Sequence, residues 1–387
     1  MSDNGNRVEP WRVLVVEFEP THYKTDLWNV ISGSEHIDLL VIHTQTRNWD
    51  RDGGHDYQRF PRQYYAGLVL SGYGVVGVVR STACVMKSII ARMPDVVLVC
   101  GYSHAQAVLG FLTAFVLRRR FVIYVDEFNN GRPPGKFSFL KWVVRESLRK
   151  FIFSYGKAVF VCGQKGVESA VTAGCAPEKI HDFPYTVDLE RILRDAPEDI
   201  PEKCLSDVRR SEVILFFSGR MIVRKGLPSL LSALSTAEVG KEWVLWIEGA
   251  GPELENYIAL ARQYNIAGKC RFLGFCQYDL HSWLIRSADI VIVPSLQDNW
   301  GIVVDEGLQL GKVVVSSDAT GSGYDRVVDK VNGYIFPAGD ASALAKLLAM
   351  LVENGRRVST EDHSARFNTK VVRPIDNLKT LLEVVRA

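Results

Sequence analysis

Short runs of β-branched and aliphatic residues alternate with longer mixed stretches along the whole chain, and this alternation limits the fold more than any other feature. In the first half the runs predict strands at Arg12–Phe18, Ile37–His43, Val96–Cys100, Phe121–Val125 and Ala158–Cys162. In the second half they predict strands at Val213–Ser218, Trp243–Glu248, Cys270–Gly274, Asp289–Pro294, Val313–Ser316 and Gly333–Phe336. The runs are nearly continuous in apolar residues, which suits strands covered on both faces. Helical patterns lie between them. The chain therefore reads as α/β, with parallel sheets built from βαβ units.

A length of 387 residues accommodates two or three such domains, each with its own core. Residues 190–212 are charged, carry Pro197 and Pro201 and lack a core-like run, so the interdomain linker is expected there. The expected division is 1–195 and 196–370, with 371–387 as a C-terminal helix packing back on the first domain. Two open α/β sheets in tandem would place their carboxyl-end crevices face to face, with a ligand cleft between them.

Charge excludes little but points away from nucleic acid: 46 Lys and Arg stand against 44 Asp and Glu, a net +2, which gives no strong overall field. The seven cysteines include no CxxC pair and are expected to be reduced core thiols. Residues 1–11 lack the apolar core of a signal peptide, and apolar runs such as Ala105–Leu117 are short for a bilayer, so a cytoplasmic location is expected.

Three stretches carry chemistry. The first, FFSGRMIVRKGL from Phe216 to Leu227, ends a strand and presents Arg220 and Lys225 before a helix. An Arg fork and a Lys point charge at the carboxyl end of a βαβ strand suit a phosphate; a solvated basic loop would look the same. The second, PSLQDNWGIVVDEGLQLG from Pro294 to Gly311, runs from a strand through a polar loop into a helix starting at Ile302. Gly301 permits close backbone approach, and the helix start offers amide groups to a diphosphate. Asp298 lies before that helix and Glu306 about one turn inside it, where carboxylates could accept from sugar or ribose hydroxyls. Asp298 and Asp305 also fit as acids favoured by the helix dipole. The third stretch, SSDATGSGYDRVV from Ser316 to Val328, has a glycine pair at Gly321 and Gly323, and Glu248-Gly-Ala-Gly-Pro is similar. Ordinary turns account for such pairs equally well.

Taken together, these stretches resemble the retaining GT-B glycosyltransferases of family 4. The resemblance rests on Gly219-Arg220…Lys225-Gly226, Gly249-Ala-Gly251-Pro252, Asp298-x7-Glu306, Gly311-Lys-Val-Val-Val-Ser-Ser-Asp-Ala-Thr-Gly321 and Asn332-Gly333, over roughly residues 213–345. It implies two Rossmann-like domains and a nucleotide diphosphate sugar as co-substrate, with no further cofactor and no metal. By the same resemblance Arg220 and Lys225 would bind the donor diphosphate, Glu306 the ribose, and Asp298 the transferred sugar. Gly249 and the segment Asn299, Trp300, Gly301 and Ile302 would line the donor site. The sequence departs from the family at Asp298, one methylene shorter than the usual Glu, and at Lys312 and Val313, where a small residue and proline are usual.

The N-terminal half resembles the family more loosely. Tyr185-Thr-Val-Asp188 lacks the family's Asn-Gly, and Glu19-Pro-Thr-His-Tyr-Lys24 replaces its Gly-Gly acceptor loop. His22, Tyr23, Lys24, His104 and Asp126 are the candidate acceptor contacts; an exposed loop and a structural histidine are the plainer readings. The segment 136–153, KFSFLKWVVRESLRKFIF, sets Lys141, Arg145 and Arg149 four residues apart beside a broad apolar surface. It suits an anionic membrane surface, or equally a crossover helix packed on a sheet. The resemblance implies sugar transfer to a glycan or lipid-linked glycan in bacterial surface polysaccharide assembly. A non-catalytic sugar-nucleotide-binding scaffold, or another GT-B enzyme such as an epimerase or a phosphorylase, would share the same features. A dinucleotide dehydrogenase would not, since no G-x-G-x-x-G follows the first strand of either half.

Overall fold

The computed structural model describes residues 9–45, 63, 65–70, 74–128, 136–210, 213–236, 239, 243–353 and 372–387. They form two compact units. In the first, seven parallel strands are β1 (Trp11–Glu17), β2 (Ile37–His43), β3 (Ala66–Val69), β4 (Val96–Cys100), β5 (Arg120–Val125), β6 (Ala158–Val161) and β7 (Ile180–Asp182). Their order is β3-β2-β1-β4-β5-β6-β7. The second unit holds β8 (Val213–Ser218), β9 (Trp243–Glu248), β10 (Cys270–Gly274), β11 (Ile290–Val293), β12 (Val313–Ser317) and β13 (Gly333–Phe336), in the order β10-β9-β8-β11-β12-β13. All ladders within these sheets are parallel.

Helices cover both faces of each sheet, which explains the continuous apolar runs. Val13 and Val15 of β1 pack with Leu27, Trp28 and Val122 on one face, while Leu14 and Val16 pack with Ile89, Phe111 and Ile123 on the other. Leu215 and Phe217 of β8 likewise face one core of the second unit, and Ile214 and Phe216 the other. Two strands lie outside the expected set. Both β3 and β7 are short edge strands with no buried position: β7 (Ile-His-Asp) carries no apolar run, and β3 (Ala-Gly-Leu-Val) is apolar but only four residues long and exposed.

The segment expected as a linker is instead folded. Residues Leu189–Arg194 and Glu202–Arg209 are helices of the second unit, and the division falls between Thr186 and Val187. Asp188 caps the first helix by accepting from the Arg191 amide. The Arg191 guanidinium lies 4.0 Å from the Tyr278 ring centroid, and Ser282 Oγ donates to Asp195 at 3.0 Å. Asp207 is buried and accepts from Trp246 Nε1 at 3.0 Å and from Arg271 at 2.8 and 3.0 Å. Arg191, Asp195 and Asp207 are thus matched against the domain, while most other charges of the segment stay exposed. Helix Pro374–Arg386 lies in the first unit, where Leu378, Leu381, Val384 and Val385 join the core around Leu27 and Trp28. Asn377 Nδ2 donates to the Pro184 carbonyl at 2.8 Å.

Two further helices differ from expectation. The side chains of 136–141, including Lys141, lie outside the described residues. Farther along helix Lys136–Tyr155, Arg149 bonds to Glu146 and Arg145 lies 3.8 Å from it, with the two arginine side chains only 11% and 26% exposed. Val144, Ser147 and Lys150 form the exposed stripe instead. Of the expected basic stripe, Arg145 and Arg149 are therefore half-buried beside Glu146 rather than on the exposed face. Among the described residues, the helix long and apolar enough to cross a membrane is Gly74–Arg92, not the run at 105–117. By length and composition alone it could cross a membrane, yet Val85 and Ile89 are fully buried in the core of the first unit.

Candidate functional site: a glycine-tight edge of the second unit

Strand β8 pairs with β9 on one side and β11 on the other, so successive connections leave it in opposite directions. Such a switch point opens a crevice at the carboxyl ends of the strands. Four loops meet there, after β8, β9, β11 and β12, and their backbones touch.

Two glycines make that approach possible. Gly249 has φ +131°, and a Cβ there would lie 1.8 Å from the Gly219 carbonyl oxygen. The loop after β9 thus grips the loop after β8, with the Gly219 amide bonded to Glu248 O at 3.1 Å and the Met221 amide to Ala250 O at 2.9 Å. Gly226 has φ +71°, and a Cβ there would meet the Pro294 carbonyl oxygen at 1.8 Å. That contact brings Lys225 beside the loop after β11, whose Leu296 amide bonds to Arg224 O at 2.8 Å. The loop after β12 closes the assembly: the Asp298 amide bonds to Ala319 O at 3.2 Å and the Gly321 amide to Asp298 O at 3.1 Å. Ser322 Oγ donates to Trp300 O at 2.6 Å. The glycine pairs are tight as well: a Cβ on Gly251 would lie 2.6 Å from Met221 O, on Gly321 2.0 Å from Asn299 O, and on Gly323 2.3 Å from Ser316 Oγ.

Packing brings charge together. Lys225 Nζ lies 2.5 Å from Asp298 Oδ2, and Arg224 Nη1 lies 3.9 Å from Asp298 Oδ1. Ser295 Oγ approaches Asp298 Oδ2 at 3.4 Å. Arg220 stands half-buried in the loop after β8, and Asn299, Gly301 and Ile302 are half-buried in and after the loop from β11. Helix Ile302–Gln309 starts at Gly301, and like any helix start its first amides have no carbonyl partner within the helix.

The acids near that helix do not behave as surface dipole partners. Asp298 pairs with Lys225. Asp305 is buried and accepts from Trp300 Nε1 at 2.7 Å, with Arg326 Nε 3.6 Å away and its guanidinium 5.1 Å from the Trp300 ring centroid. Burial pushes Asp305 up to about 7, against the opposing pull of Arg326 and the Trp300 bond. The Trp300 side chain is thus an internal anchor, and only its backbone belongs to the loop surface. Glu306 is 1% exposed. Its Oε2 lies 3.1 Å from His281 Nε2, and His281 Nδ1 lies 2.6 Å from Glu248 Oε2. His281 and Arg326 join this edge with no motif to mark them, and Glu248 and Asp305, marked in the sequence only as the head of a glycine turn and as a dipole acid, are buried members of it. His281 had a usable signal, since it precedes buried Leu284 and Ile285 by three and four residues and so shares their helix face.

In the first unit, the expected acceptor loop is the start of helix His22–Ser32. Lys24 Nζ is 2.7 Å from Glu17 Oε1 and its side chain is only 14% exposed. Burial alone would lower its pKa, but Glu17 holds it above the ordinary lysine range. Lys24 is thus a buried ion-pair member rather than an exposed contact, and Glu17 also accepts from Trp28 Nε1 at 3.1 Å. Tyr23 packs on Tyr185 at 4.3 Å between ring centroids and meets His22 edge-on, while Tyr185 donates to Asp126. Tyr23, Lys24 and Asp126 are therefore brought together around Tyr185. His104 lies apart from that group, exposed and stacked on Phe18 at 4.2 Å. Among the described residues, no group of three or more His, Cys, Asp or Glu is placed to hold a metal ion.

Comparison with known proteins matches residues 206–370 to the glycosyl transferases group 1 family. The lipopolysaccharide core biosynthesis glycosyltransferase LpsE of Rhizobium meliloti is 28% identical over 166 residues, 43% of this chain and 44% of that protein. The phosphatidyl-myo-inositol mannosyltransferase of Mycobacterium leprae is 32% identical over 149 residues, 38% of each chain. The chain thus matches less than half the length of either relative. Among solved structures, HepE of Anabaena in complex with UDP is similar with a TM-score of 0.72 at 14% identity, covering 97% of this chain and 99% of that one. The sucrose-phosphate synthase of Thermosynechococcus elongatus is similar with a TM-score of 0.67 at 14% identity, covering 97% of this chain and 98% of that one. The fold is that of the GT-B glycosyltransferases, two Rossmann-like units with parallel sheets.

Two outcomes are expected. Gly226→Ala combines the Pro294 clash with an unfavourable φ and should destabilise by more than about 1 kcal/mol, whereas Gly268→Ala, with no atom within 4 Å of its Cβ, should change little. Urea unfolding compares them, and equal midpoints would contradict the close-packed loop. The second outcome concerns pH. A carboxyl raised on folding leaves stability unaffected below its unfolded pKa and lowers it as pH rises towards the folded value. Asp305 should thus subtract stability progressively from about pH 4 to about pH 7. Asp305→Asn should lose that slope in a melting-temperature series, and parallel curves for the two proteins would refute it.

Proposed function

We propose that this chain is a glycosyltransferase that moves a hexose-type sugar from a nucleotide diphosphate sugar to a glycan or lipid-linked glycan, with retention, as a family 4 enzyme of bacterial surface polysaccharide assembly. The observation that supports it most is the meeting of Lys225 and Asp298 where the glycine-tight loops join, beside the start of helix Ile302–Gln309. A diphosphate needs a cation and amide groups, and a sugar needs a hydroxyl acceptor. These lie within one ligand's reach. In this reading Lys225 and Arg220 take the diphosphate, helped by amides of Trp300, Gly301 and Ile302, and Asp298 takes a sugar hydroxyl. Asn299 and Gly249 shape the pocket wall, and Glu306 takes the ribose hydroxyls.

The chemistry follows from charge. As the anomeric bond breaks, positive charge grows on the sugar and negative charge on the leaving diphosphate. Preorganised cations and helix amides stabilise that diphosphate in the transition state. Front-side attack lets the leaving phosphate accept the acceptor's proton, so no separate protein base is required. HepE was solved with UDP and with UDP-glucose, which makes uridine donors the first to test. On the acceptor side, the reading keeps Tyr23, Asp126 and His22 as contacts at the carboxyl edge of the first sheet, with His104 a second contact and Lys24 holding Glu17. The location proposed is the cytoplasm, at the inner face of the membrane when the acceptor is lipid-linked.

With a nucleotide-sugar panel, Arg220→Ala and Lys225→Ala should each lower kcat/KM by roughly 2–4 kcal/mol in transition-state terms. Wild-type rates in both would remove the donor assignment, and binding without any turnover would indicate a scaffold. Asp298→Glu should retain donor binding while altering transfer or sugar choice. Liposome co-sedimentation checks the membrane surface: because Arg145 and Arg149 face Glu146, changing both to Ser should leave binding to anionic vesicles unaltered. A sharp loss of binding would show that these arginines turn outward to lipid.

A further inference from the structure

A buried chain of three titratable side chains stands behind the donor edge. Glu248 ends β9, His281 lies in helix Tyr278–Ser287, and Glu306 lies in helix Ile302–Gln309. All three are less than a tenth exposed. The imidazole uses both nitrogens, Nδ1 to Glu248 at 2.6 Å and Nε2 to Glu306 at 3.1 Å. Burial alone would lower its pKa, but Glu248 and then Glu306 raise it well above the ordinary histidine range, which favours the imidazolium, the form able to donate to both carboxylates.

The arrangement has a mechanical consequence. A Glu side chain has three rotatable bonds, and a buried carboxylate without a fixed donor would settle against whichever partner it reached. His281 pins one oxygen, Oε2, and cannot itself swing, because Glu248 holds its other nitrogen. Glu248 in turn is set by the ladder of β9 with β8, whose last register pair is Ser218 with Glu248. The orientation of Glu306 is thus referred to the central strands of the sheet rather than to its own short helix.

We infer that His281 is a positioning residue that aims the Glu306 carboxylate at the ribose of the donor nucleotide. The inference rests on the reading that Glu306 takes the ribose hydroxyls. It adds a residue with no place in the motifs that carry the family resemblance, and it assigns that residue a share in ribose recognition.

The experiment reads a ratio. Titration calorimetry on the full chain measures the Kd of UDP, GDP and ADP, and then of the 2′,3′-dideoxy form of the tightest binder. Wild type should prefer the ribonucleotide by roughly tenfold or more, the loss expected when a buried carboxylate keeps no hydroxyl partner. Glu306→Gln should shrink that preference strongly. His281→Ala should shrink it by about threefold or more, and Glu306→Gln/His281→Ala should shrink it no further than Glu306→Gln alone, since coupled groups are not additive. If His281→Ala does not fold, Glu248→Gln/His281→Ala keeps the net charge of the cluster and replaces it in the same comparison. A purely structural role for His281 would weaken ribo- and dideoxynucleotide equally and leave the ratio intact, which overturns the inference while the Glu306 reading stands. A ratio unchanged in Glu306→Gln, or no binding of any of the three nucleotides, overturns that reading and the inference with it.

Discussion

The loop after β8 is held from both sides by backbone, and the charged edge of the second unit depends on that grip. Gly249 lets the β9 loop seat against the Gly219 carbonyl, and Gly226 lets the chain pass the Pro294 carbonyl. Contacts at such distances leave no room for side chains and little for movement. Lys225 is carried next to Asp298 by this geometry rather than by a long, searching side chain. Rigid backbone of this kind is what a preorganised anion site requires, since nothing has to reorganise when charge develops.

Behind that edge, buried charge is matched in groups. Asp207 is held by Arg271 and Trp246, Asp305 faces Trp300 and Arg326, and Glu248 and Glu306 share His281. Removing one partner from such a group leaves a desolvated charge, which is more costly than removing the whole group. The first unit follows the same rule with Glu17, Lys24 and Trp28. These groups tie loops and helices to strand ends, so that the carboxyl edges of both sheets are polar but internally braced.

Much of this was legible in the chain itself. Strands covered on both faces are largely apolar, and so β4, β8 and β9 stand where their runs end; β2 and the edge strands β10 and β13 do so too, because their runs are apolar enough although several of their positions are exposed or half-buried. Edge strands β3 and β7 were not legible: β7 is polar at His181 and Asp182, and β3, although apolar, is only four residues long and contains Gly67. Residues 190–212 looked like a solvated linker because a one-dimensional reading counts charges but not their partners; Asp207 and Arg271 are far apart in sequence and 2.8 Å apart in space. Helical spacing puts Lys141, Arg145 and Arg149 on one face but does not fix which way the face points, and Arg145 and Arg149 lie half-buried beside Glu146.

The site divides in the same way. The sequence by itself determined the strand and helix alternation, the glycines, and the order Arg220, Lys225, Asp298, Glu306, because these depend on local backbone chemistry and on spacing along one chain. Only the tertiary structure decided that Lys225 pairs with Asp298, that Asp305 turns inward to Trp300, that Lys24 serves Glu17, and that His281 joins Glu248 to Glu306. Those outcomes depend on which strand ends the parallel sheet places side by side. Burial then forces each charge to find the partner that the sheet order has brought within reach.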